Sequence, residues 1–314
     1  MATEKNITMK QFNGTDYDTL YPKTIASQVD GLFQIVVTTY PNTEVTASLN
    51  GKTVSATSDS SGLAILKIPS YGTWTVSGTV GGIFTSIDCE IKAVAQYELF
   101  LFPDLETASW DIIRSVSESG IASSTWSVGD KKTVAIDGVN YQVQIIGFNH
   151  DDKTAGGKAG ITFQMVDCLS TEYNMNSSNT NNGGWKNSAM RSRMSTFLSQ
   201  LPSDLQSVIK AVNKLVSVGN KTSTIETVSD KLFLLSEVEI FGFTTYSFAG
   251  EGSQYEWYKA GNTKVKKVNG SANNWWERSP QYNGTDYFCA VNSSGKVNYG
   301  SASYNYGVSF GFCV

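Results

Sequence analysis

Short apolar segments separated by turn residues constrain residues 29–103 to a β fold. Residues 32–38 are apolar and rich in β-branched side chains, and Asn50-Gly51 joins two alternating segments as a tight hairpin turn. A second turn, Asp59-Ser60-Ser61-Gly62, separates further segments of the same kind. Strand-forming segments at this spacing predict a small all-β sandwich of about seven strands. Pro103-Asp104 marks its end, so a second domain is predicted over residues 104–314.

Helical and strand patterns alternate in residues 104–314. One helix is predicted from apolar side chains that recur on a single face: Met190, Met194, Phe197, Leu198 and Leu201. A second helix, capped by Ser203, is predicted from a similar series: Leu205, Val208, Ile209, Val212 and Leu215. Strands are predicted at residues 133–136, 141–148, 161–166 and 231–236. The chain is therefore predicted to have a mixed fold, in which an all-β domain precedes an α+β domain.

Charge and hydropathy exclude two classes of partner. The chain of 314 residues has a net charge of −4, whereas proteins that bind nucleic acid present a basic surface. No run of apolar residues is long enough to insert into a membrane. The first six residues lack the apolar core of a signal peptide, so we expect synthesis in a cytoplasm.

Cysteine and histidine offer little for metal binding or catalysis. The four cysteines show no CxxC spacing and are interpreted as buried free thiols, although a Cys289–Cys313 bridge stays open. The single histidine, His150, precedes Asp151 and Asp152. We interpret this group as a structural turn or a His–Asp hydrogen bond, with metal binding and acid–base catalysis as the alternatives. No cofactor, no metal and no catalytic residue is predicted, and the chain is not expected to be an enzyme.

The last 46 residues have the composition of a binding surface. Of residues 269–314, 25 are Asn, Tyr, Ser or Gly, which combine rigid amphipathic rings with adaptable hydrogen-bonding groups. Trp275 and Trp276 are adjacent and would point to opposite faces of a strand, so they are interpreted as scaffold. An ion pair is expected between Glu277 and Arg278, which are also adjacent.

Residues 110–314 resemble proteins of gut-bacterial phages and prophages that have the C-type-lectin-like fold. The resemblance rests on four features: residues 145–151, residues 234–236, the box Trp275–Pro280 and the ending at 307–312. Members include target proteins of diversity-generating retroelements, in which mutation of a C-terminal segment varies one binding surface. Residues 29–103 resemble immunoglobulin-like and carboxypeptidase-regulatory-like modules that act as spacers. Residues 1–28 resemble the segment that attaches many tailed-phage structural proteins to the particle.

The chain also departs from two groups that share the lectin-like fold. It contains neither a Glu-Pro-Asn nor a Trp-Asn-Asp motif, which argues against calcium-dependent sugar binding. The paired catalytic cysteines of formylglycine-generating enzymes have no convincing counterpart.

The resemblance implies a phage tail or receptor-binding protein located in the virion. Residues 1–28 would bind other virion proteins, residues 29–103 would form the spacer, and residues 104–314 would bind a host-cell receptor, either a protein or a glycan. A homo-oligomer is expected, with a trimer favoured, because several weak contacts then act together. The residues expected to bind the ligand lie between the Trp275–Pro280 box and the C-terminal ending: Tyr282, Asn283, Thr285, Asp286, Tyr287, Asn292, Asn298, Tyr299, Ser301, Ser303, Tyr304, Asn305 and Tyr306.

Two other functions remain open at this stage. The first is a structural decoration or baseplate component of the virion that binds no receptor. The second is an enzyme of the same fold that acts on carbohydrate or on a cysteine-containing substrate.

Overall fold

The computed structural model describes residues 9–12, 17–20, 33–93 and 95–314. The chain divides into two compact units, Met1–Pro103 and Asp104–Val314. With 41% of residues in strands and 15% in helices, the fold is mixed and mostly β. Most of the expected attachment segment, residues 1–28, lies outside the described residues. Within it, strands β1 (Met9–Phe12) and β2 (Tyr17–Leu20) pair antiparallel.

Seven strands build the rest of the first unit as far as its residues are described. They are β3 (Phe33–Thr38), β4 (Glu44–Leu49), β5 (Lys52–Thr57), β6 (Leu63–Ile68), β7 (Gly72–Val80), β8 (Ile83–Ile91) and β9 (Gln96–Phe100). A three-stranded sheet has the order β6-β3-β9 and a four-stranded sheet has the order β5-β4-β7-β8. Strand β3 pairs antiparallel with β6 and parallel with β9.

Alternate side chains of these strands form the core of the first unit. In β3, Phe33, Ile35 and Val37 are buried, and the residues between them are half-buried. The same alternation buries Leu66 of β6 and Trp74 of β7. Since side chains in a strand point to opposite faces in turn, each sheet buries one face.

Twelve strands build the second unit. They are β10 (Lys131–Ile136), β11 (Val139–Phe148), β12 (Ile161–Met165), β13 (Val212–Ser217), β14 (Ile225–Asp230), β15 (Leu232–Phe233), β16 (Lys266–Val268), β17 (Ser271–Asn273), β18 (Trp275–Pro280), β19 (Tyr287–Val291), β20 (Val297–Ser301) and β21 (Gly311–Cys313). The largest sheet has the order β10-β11-β12-β21-β15. A three-stranded sheet has the order β18-β19-β20, and β13-β14 and β16-β17 are separate antiparallel pairs.

The second unit also contains a 3-10 helix (Trp185–Asn187) and six α-helices in its described residues. They are α1 (Trp110–Glu118), α2 (Ala122–Thr125), α3 (Ala189–Ser199), α4 (Ser203–Val208), α5 (Glu237–Phe241) and α6 (Glu256–Lys259). Helix α3 contains four of the five residues that predicted the first helix, and the fifth, Leu201, lies two residues beyond its end. None of the helices in the described part of the chain is both long and apolar enough to cross a membrane.

The second predicted helix is wrong beyond Val208. Helix α4 ends there, and Val212–Ser217 is strand β13, which pairs with β14 and leaves Leu215 42% exposed. Ser203 does not cap the helix either, because it is the first helical residue and follows Pro202. The apolar spacing was misleading because Lys214, a residue seldom buried, lies in the core and takes part in the alternation of a strand.

Aromatic rings pack the centre of the second unit. The ring of Phe163 from β12 stacks on Phe312 from β21 with centroids 5.2 Å apart, and Trp110 at the start of α1 meets both rings edge-on. Phe310 stacks on Phe197 of α3 at 6.1 Å. The C-terminal residues therefore form a central strand of the core rather than an outer edge.

Candidate ligand-binding surface

The three-stranded sheet β18-β19-β20 directs its tyrosines to both of its faces. Tyr299 lies opposite Cys289 in the antiparallel register, and the next residue, Gly300, lies opposite Phe288. The ring of Tyr306 covers Gly300 so closely that a Cβ atom there would come within 2.5 Å of it. Because successive residues of a strand point to opposite faces, Tyr299 and Tyr306 lie on opposite faces of this sheet.

Five aromatic residues, Tyr299 among them, cluster on one side of this sheet, and we call them the tyrosine face: Tyr246, Phe248, Tyr282, Tyr287 and Tyr299. Tyr299 meets Tyr246 and Tyr287 edge-on, with centroids 4.8 and 5.4 Å apart. Phe248 meets Tyr282 at 6.0 Å, and the backbone N–H of Tyr282 donates to the carbonyl of Tyr246. The loop after α5 thus completes a surface that the C-terminal segment begins.

Sequence reasoning missed Tyr246 and Phe248. Both lie in residues 243–270, a mostly polar stretch for which the sequence predicts neither a helix nor a strand. The available signal was the triplet Tyr246-Ser247-Phe248, which places two rings beside a serine, as the C-terminal segment does.

A second aromatic cluster lies on the opposite face of the sheet. Tyr306 packs on Trp276 with centroids 4.5 Å apart and lies 6.4 Å from Tyr304. The indole N–H of Trp276 donates to the carbonyl of Tyr173 at 2.7 Å. Trp275 and Trp276 are both fully buried and pair with Val291 and Ala290, which is the scaffold role that the sequence indicated.

The predicted ligand-binding residues fall into three groups by exposure. Six are exposed: Tyr282, Asn283, Thr285, Tyr299, Tyr304 and Asn305. Six are half-buried: Asp286, Tyr287, Asn292, Asn298, Ser303 and Tyr306. Ser301 is only 5% exposed, and its hydroxyl donates to the side chain of Asn179. Ser301 is therefore too buried for direct contact with a ligand. Its hydrogen bond joins β20 to the loop that contains Asn179.

Six tyrosines between residues 246 and 306 have hydroxyl groups with no partner within the described residues. This holds for Tyr246, Tyr282, Tyr287, Tyr299, Tyr304 and Tyr306, although their rings pack on one another. The buried tyrosines behave differently, since the hydroxyl of Tyr255 bonds to Asp151 and that of Tyr258 bonds to Gln164 at 2.6 Å. A phenol combines apolar contact area with one polar group, so each surface tyrosine offers an unused hydrogen bond.

A buried carboxylate anchors the loop that carries Tyr246 and Phe248. Glu237, at the start of α5, accepts hydrogen bonds from the backbone N–H groups of Thr245, Tyr246 and Ser247 at 2.8–3.1 Å. The hydroxyl of Ser247 adds a fourth donor at 2.7 Å. Successive N–H groups that converge on one anion make a concave binding site for it. Three of the four donors are backbone groups, so the loop is fixed mainly by its own backbone.

A buried amide anchors the other loop of the tyrosine face. Asn181 donates from its side chain to the carbonyls of Gly284 and Tyr287 at 3.0 and 2.9 Å. Its own backbone N–H donates to the carbonyl of Thr285, and its side-chain oxygen accepts from the N–H of Asn220. Sequence reasoning had placed Asn181 in a polar loop without a role, because its partners lie about a hundred residues away.

We expect Asn181→Ala to destabilise the second unit by about 2 kcal/mol, because two carbonyls and one N–H lose their buried partner. Urea unfolding followed by tryptophan fluorescence measures this loss. The matched control is Asn179→Ala, since Asn179 is exposed and makes a single bond to Ser301. Equal losses for the two variants would contradict the anchoring role of Asn181.

Four charged side chains form a buried network beneath β18. Arg278 pairs with both carboxylate oxygens of Glu239. The ammonium of Lys214 lies 2.6 Å from Glu239 and 2.7 Å from Asp151. The expected Glu277–Arg278 ion pair is therefore wrong, because neighbours in a strand point to opposite faces and Arg278 meets Glu239 instead. Glu277 has no hydrogen-bond partner among the described residues, although it is fully buried.

Opposite charges keep this network ionised. Burial alone would raise the pKa of Asp151, but the ammonium of Lys214 holds that pKa well below its usual value. Burial likewise opposes the charge of Lys214, and the carboxylates of Asp151 and Glu239 raise its pKa nevertheless. For Glu277 burial raises the pKa well above the ordinary value, and the nearby Glu237 and Glu251 carboxylates add to the rise.

His150 and the four cysteines make packing contacts within the described residues. The His150 ring stacks on Tyr255 with centroids 4.0 Å apart, and burial lowers its pKa. Asp151 bonds to Lys214 and Asp152 pairs with Lys158. The described residues contain no cluster of His, Cys, Asp and Glu that could hold a metal ion. All four cysteines are free and buried, so Cys289 and Cys313 are not bridged, and burial raises the pKa of both thiols.

Comparison of the sequence with known proteins finds a match to one protein-family model. Residues 159–314 match a protein-family model described as a domain of unknown function, DUF6273. The match includes Asn181, Glu237 and every member of the tyrosine face. No curated protein and no solved structure was found to match the chain.

Proposed function

We propose that this protein binds a receptor on a host cell through the tyrosine face and Tyr304, as a tail or receptor-binding component of a phage virion. The observation that carries the proposal is the set of surface tyrosine rings whose hydroxyls have no partner in the described part of the chain. Tyr282 and Tyr299 are 43% and 39% exposed on this face, and Tyr304 is 58% exposed on the other. Tyrosine is enriched where proteins bind one another because it combines area, rigidity and one polar group.

The buried anchors support the same proposal. Glu237 and Asn181 fix the two loops of the tyrosine face before any ligand binds, so less conformational entropy is lost on binding. In this proposal the first unit is an immunoglobulin-like spacer and the second has the C-type-lectin-like fold. Residues 1–28 join the protein to other virion proteins, and a trimer supplies several receptor contacts at once.

Replacing three exposed tyrosines tests the proposal. We expect Tyr282→Ala, Tyr299→Ala and Tyr304→Ala, combined in one variant, to weaken binding to cells about 30-fold, because exposed aromatic anchors carry much of the energy of an interface. The measurement is flow cytometry of the fluorescently labelled protein on a panel of gut-bacterial strains. Circular dichroism of the same variant shows that its fold persists.

Two controls separate the rings from their surroundings. Phe84→Ala removes a 71% exposed ring from β8 in the first unit and should leave cell binding unchanged. Replacing the same three tyrosines by phenylalanine keeps the rings and removes the hydroxyls, so binding should fall by an intermediate factor. Undiminished cell binding by a folded triple-alanine variant would refute the assignment. A wild-type protein that binds none of the strains, yet binds purified tail proteins, would favour a purely structural role in the virion.

A further inference from the structure

A pocket beside His150 lies in the same unit and contains none of the surface tyrosines. Its volume is about 570 Å³, within the range of about 300–1,000 Å³ that holds small ligands in proteins. Its walls come from the end of β11, from β13 and β14, and from the loop after α5. The residues that line it are His150, Asp151, Asp152, Lys158, Asn213, Lys214, Leu215, Thr227, Glu239, Gly250, Gly252 and Ser253.

The charges in the floor of the pocket are already paired. The three donors of Lys214 face Asp151 at 2.7 Å, Glu239 at 2.6 Å and the hydroxyl of Tyr255 at 3.0 Å. Asp151 also accepts from Thr162 at 2.7 Å, and Glu239 is paired with Arg278. Lys158 and Asp152 pair with each other at the rim. A charged ligand would have to break one of these pairs, and breaking a buried pair is costly.

The walls of the pocket offer uncharged hydrogen-bonding groups. The hydroxyls of Thr227 and Ser253 and the ring nitrogens of His150 have no hydrogen-bond partner among the described residues. The side-chain oxygen of Asn213 accepts from Thr154, which leaves its amide N–H groups available. Hydroxyls both donate and accept, whereas the amide donates. Leu215, exposed beside them, adds a small apolar contact.

We propose that the His150 pocket binds an uncharged polyhydroxylated molecule of the size of a monosaccharide or disaccharide. The charged side chains in the floor are already paired with one another, which disfavours a charged ligand. The wall contains both hydrogen-bond donors and acceptors, which suit a ligand whose hydroxyls both donate and accept. The proposal is independent of the receptor-binding function, because none of the tyrosines argued to bind a receptor lines this pocket.

Nuclear magnetic resonance of the full chain tests the proposal directly. His150 is the only histidine in the sequence, so its ring signals report this pocket without overlap. Glucose, galactose, mannose and N-acetylglucosamine are titrated to high millimolar concentration. We expect at least one of them to shift the His150 signals along a saturable curve. Four sugars that leave these signals unmoved would overturn the proposal.

Matched variants and charged probes locate the effect. Thr227→Val keeps the shape of the side chain and removes its hydroxyl, so the responding sugar should bind about fivefold more weakly. Tyr299→Ala should leave that affinity unchanged. Glucuronate and glucosamine should bind more weakly than the corresponding neutral sugar. An unaltered affinity in Thr227→Val, or tighter binding of either charged probe, would contradict the proposal.

Discussion

Arg278→Met is expected to reduce the free energy of unfolding of the second unit by about 3–5 kcal/mol, since removing one partner leaves a buried charge uncompensated. The guanidinium donates to both oxygens of Glu239 and to the carbonyls of Leu215, Leu234 and Glu251. Five acceptors therefore lose their donor together. Urea unfolding followed by tryptophan fluorescence measures the loss, and six of the seven tryptophans lie in this unit.

Two further variants separate the charge of Arg278 from the shape of its guanidinium group and control for the loss of any arginine. Arg278→Lys keeps the charge but cannot reach five acceptors with one compact ammonium, so it should recover less than half of the loss. Arg114→Lys changes a half-buried arginine of the same unit, whose ion pair with Asp111 lies at the surface, and should shift stability by less than about 0.5 kcal/mol. Full recovery of stability in Arg278→Lys would show that charge alone matters and that the fork of the guanidinium does not.

Glu277→Gln is expected to stabilise the protein at pH 8 and to change its stability little at pH 5. The Glu277 carboxyl is buried without a hydrogen-bond partner in the described part of the structure, and burial raises its folded-state pKa well above the ordinary value for a glutamate. A raised folded pKa stabilises the fold fully below the unfolded pKa, and this contribution is lost as pH rises toward the folded pKa. At about 1.4 kcal/mol per pH unit, three units give a difference of up to about 4 kcal/mol.

Urea unfolding of both proteins at several pH values between 5 and 8 measures this slope. Glutamine has nearly the shape of the protonated acid and does not titrate, so the difference between the two proteins isolates one group. Glu226→Gln, at a site paired with Lys186 on the surface, should give a flat difference over the same range. The stability of both proteins should fall with decreasing pH only under acidic conditions, where protonation of Asp151 removes its pairing with Lys214. If the difference in unfolding free energy between wild type and Glu277→Gln does not change with pH, Glu277 is not a buried acid with a raised pKa.

Local sequence patterns predicted the elements whose structure does not depend on residues far away in the chain. The Asn50-Gly51 turn joins β4 to β5 because left-handed backbone at both residues suits a tight hairpin. Helix α3 follows its apolar series because Met190, Met194 and Phe197 bury one face. At Lys214 the same reasoning failed, because a lysine enters the core only with partners such as Asp151 and Glu239. Those partners lie 63 and 25 residues away in the chain.

The candidate surface shows the same limit. Sequence composition indicated the segment that contains Tyr282, Tyr299 and Tyr304, since rings among Asn, Ser and Gly suit a binding surface. It could not assign these rings to faces of a sheet, because that depends on the register between β19 and β20. It also could not bring Tyr246 to Tyr299, because the loop of Tyr246 is placed by Glu237 from another element. Distant polar contacts decided what local patterns could not.

The anchors of the tyrosine face hold main-chain atoms, and this bears on how the surface can change. Glu237 binds the N–H groups of residues 245–247, and Asn181 binds the carbonyls of Gly284 and Tyr287. Every residue other than proline supplies an N–H, and every residue supplies a carbonyl. Side chains such as Thr245, Tyr246, Thr285 and Asp286 can therefore be exchanged without loss of the bonds that fix their loops. The side chains that the tyrosine face displays can therefore change while the backbone conformation that displays them stays fixed.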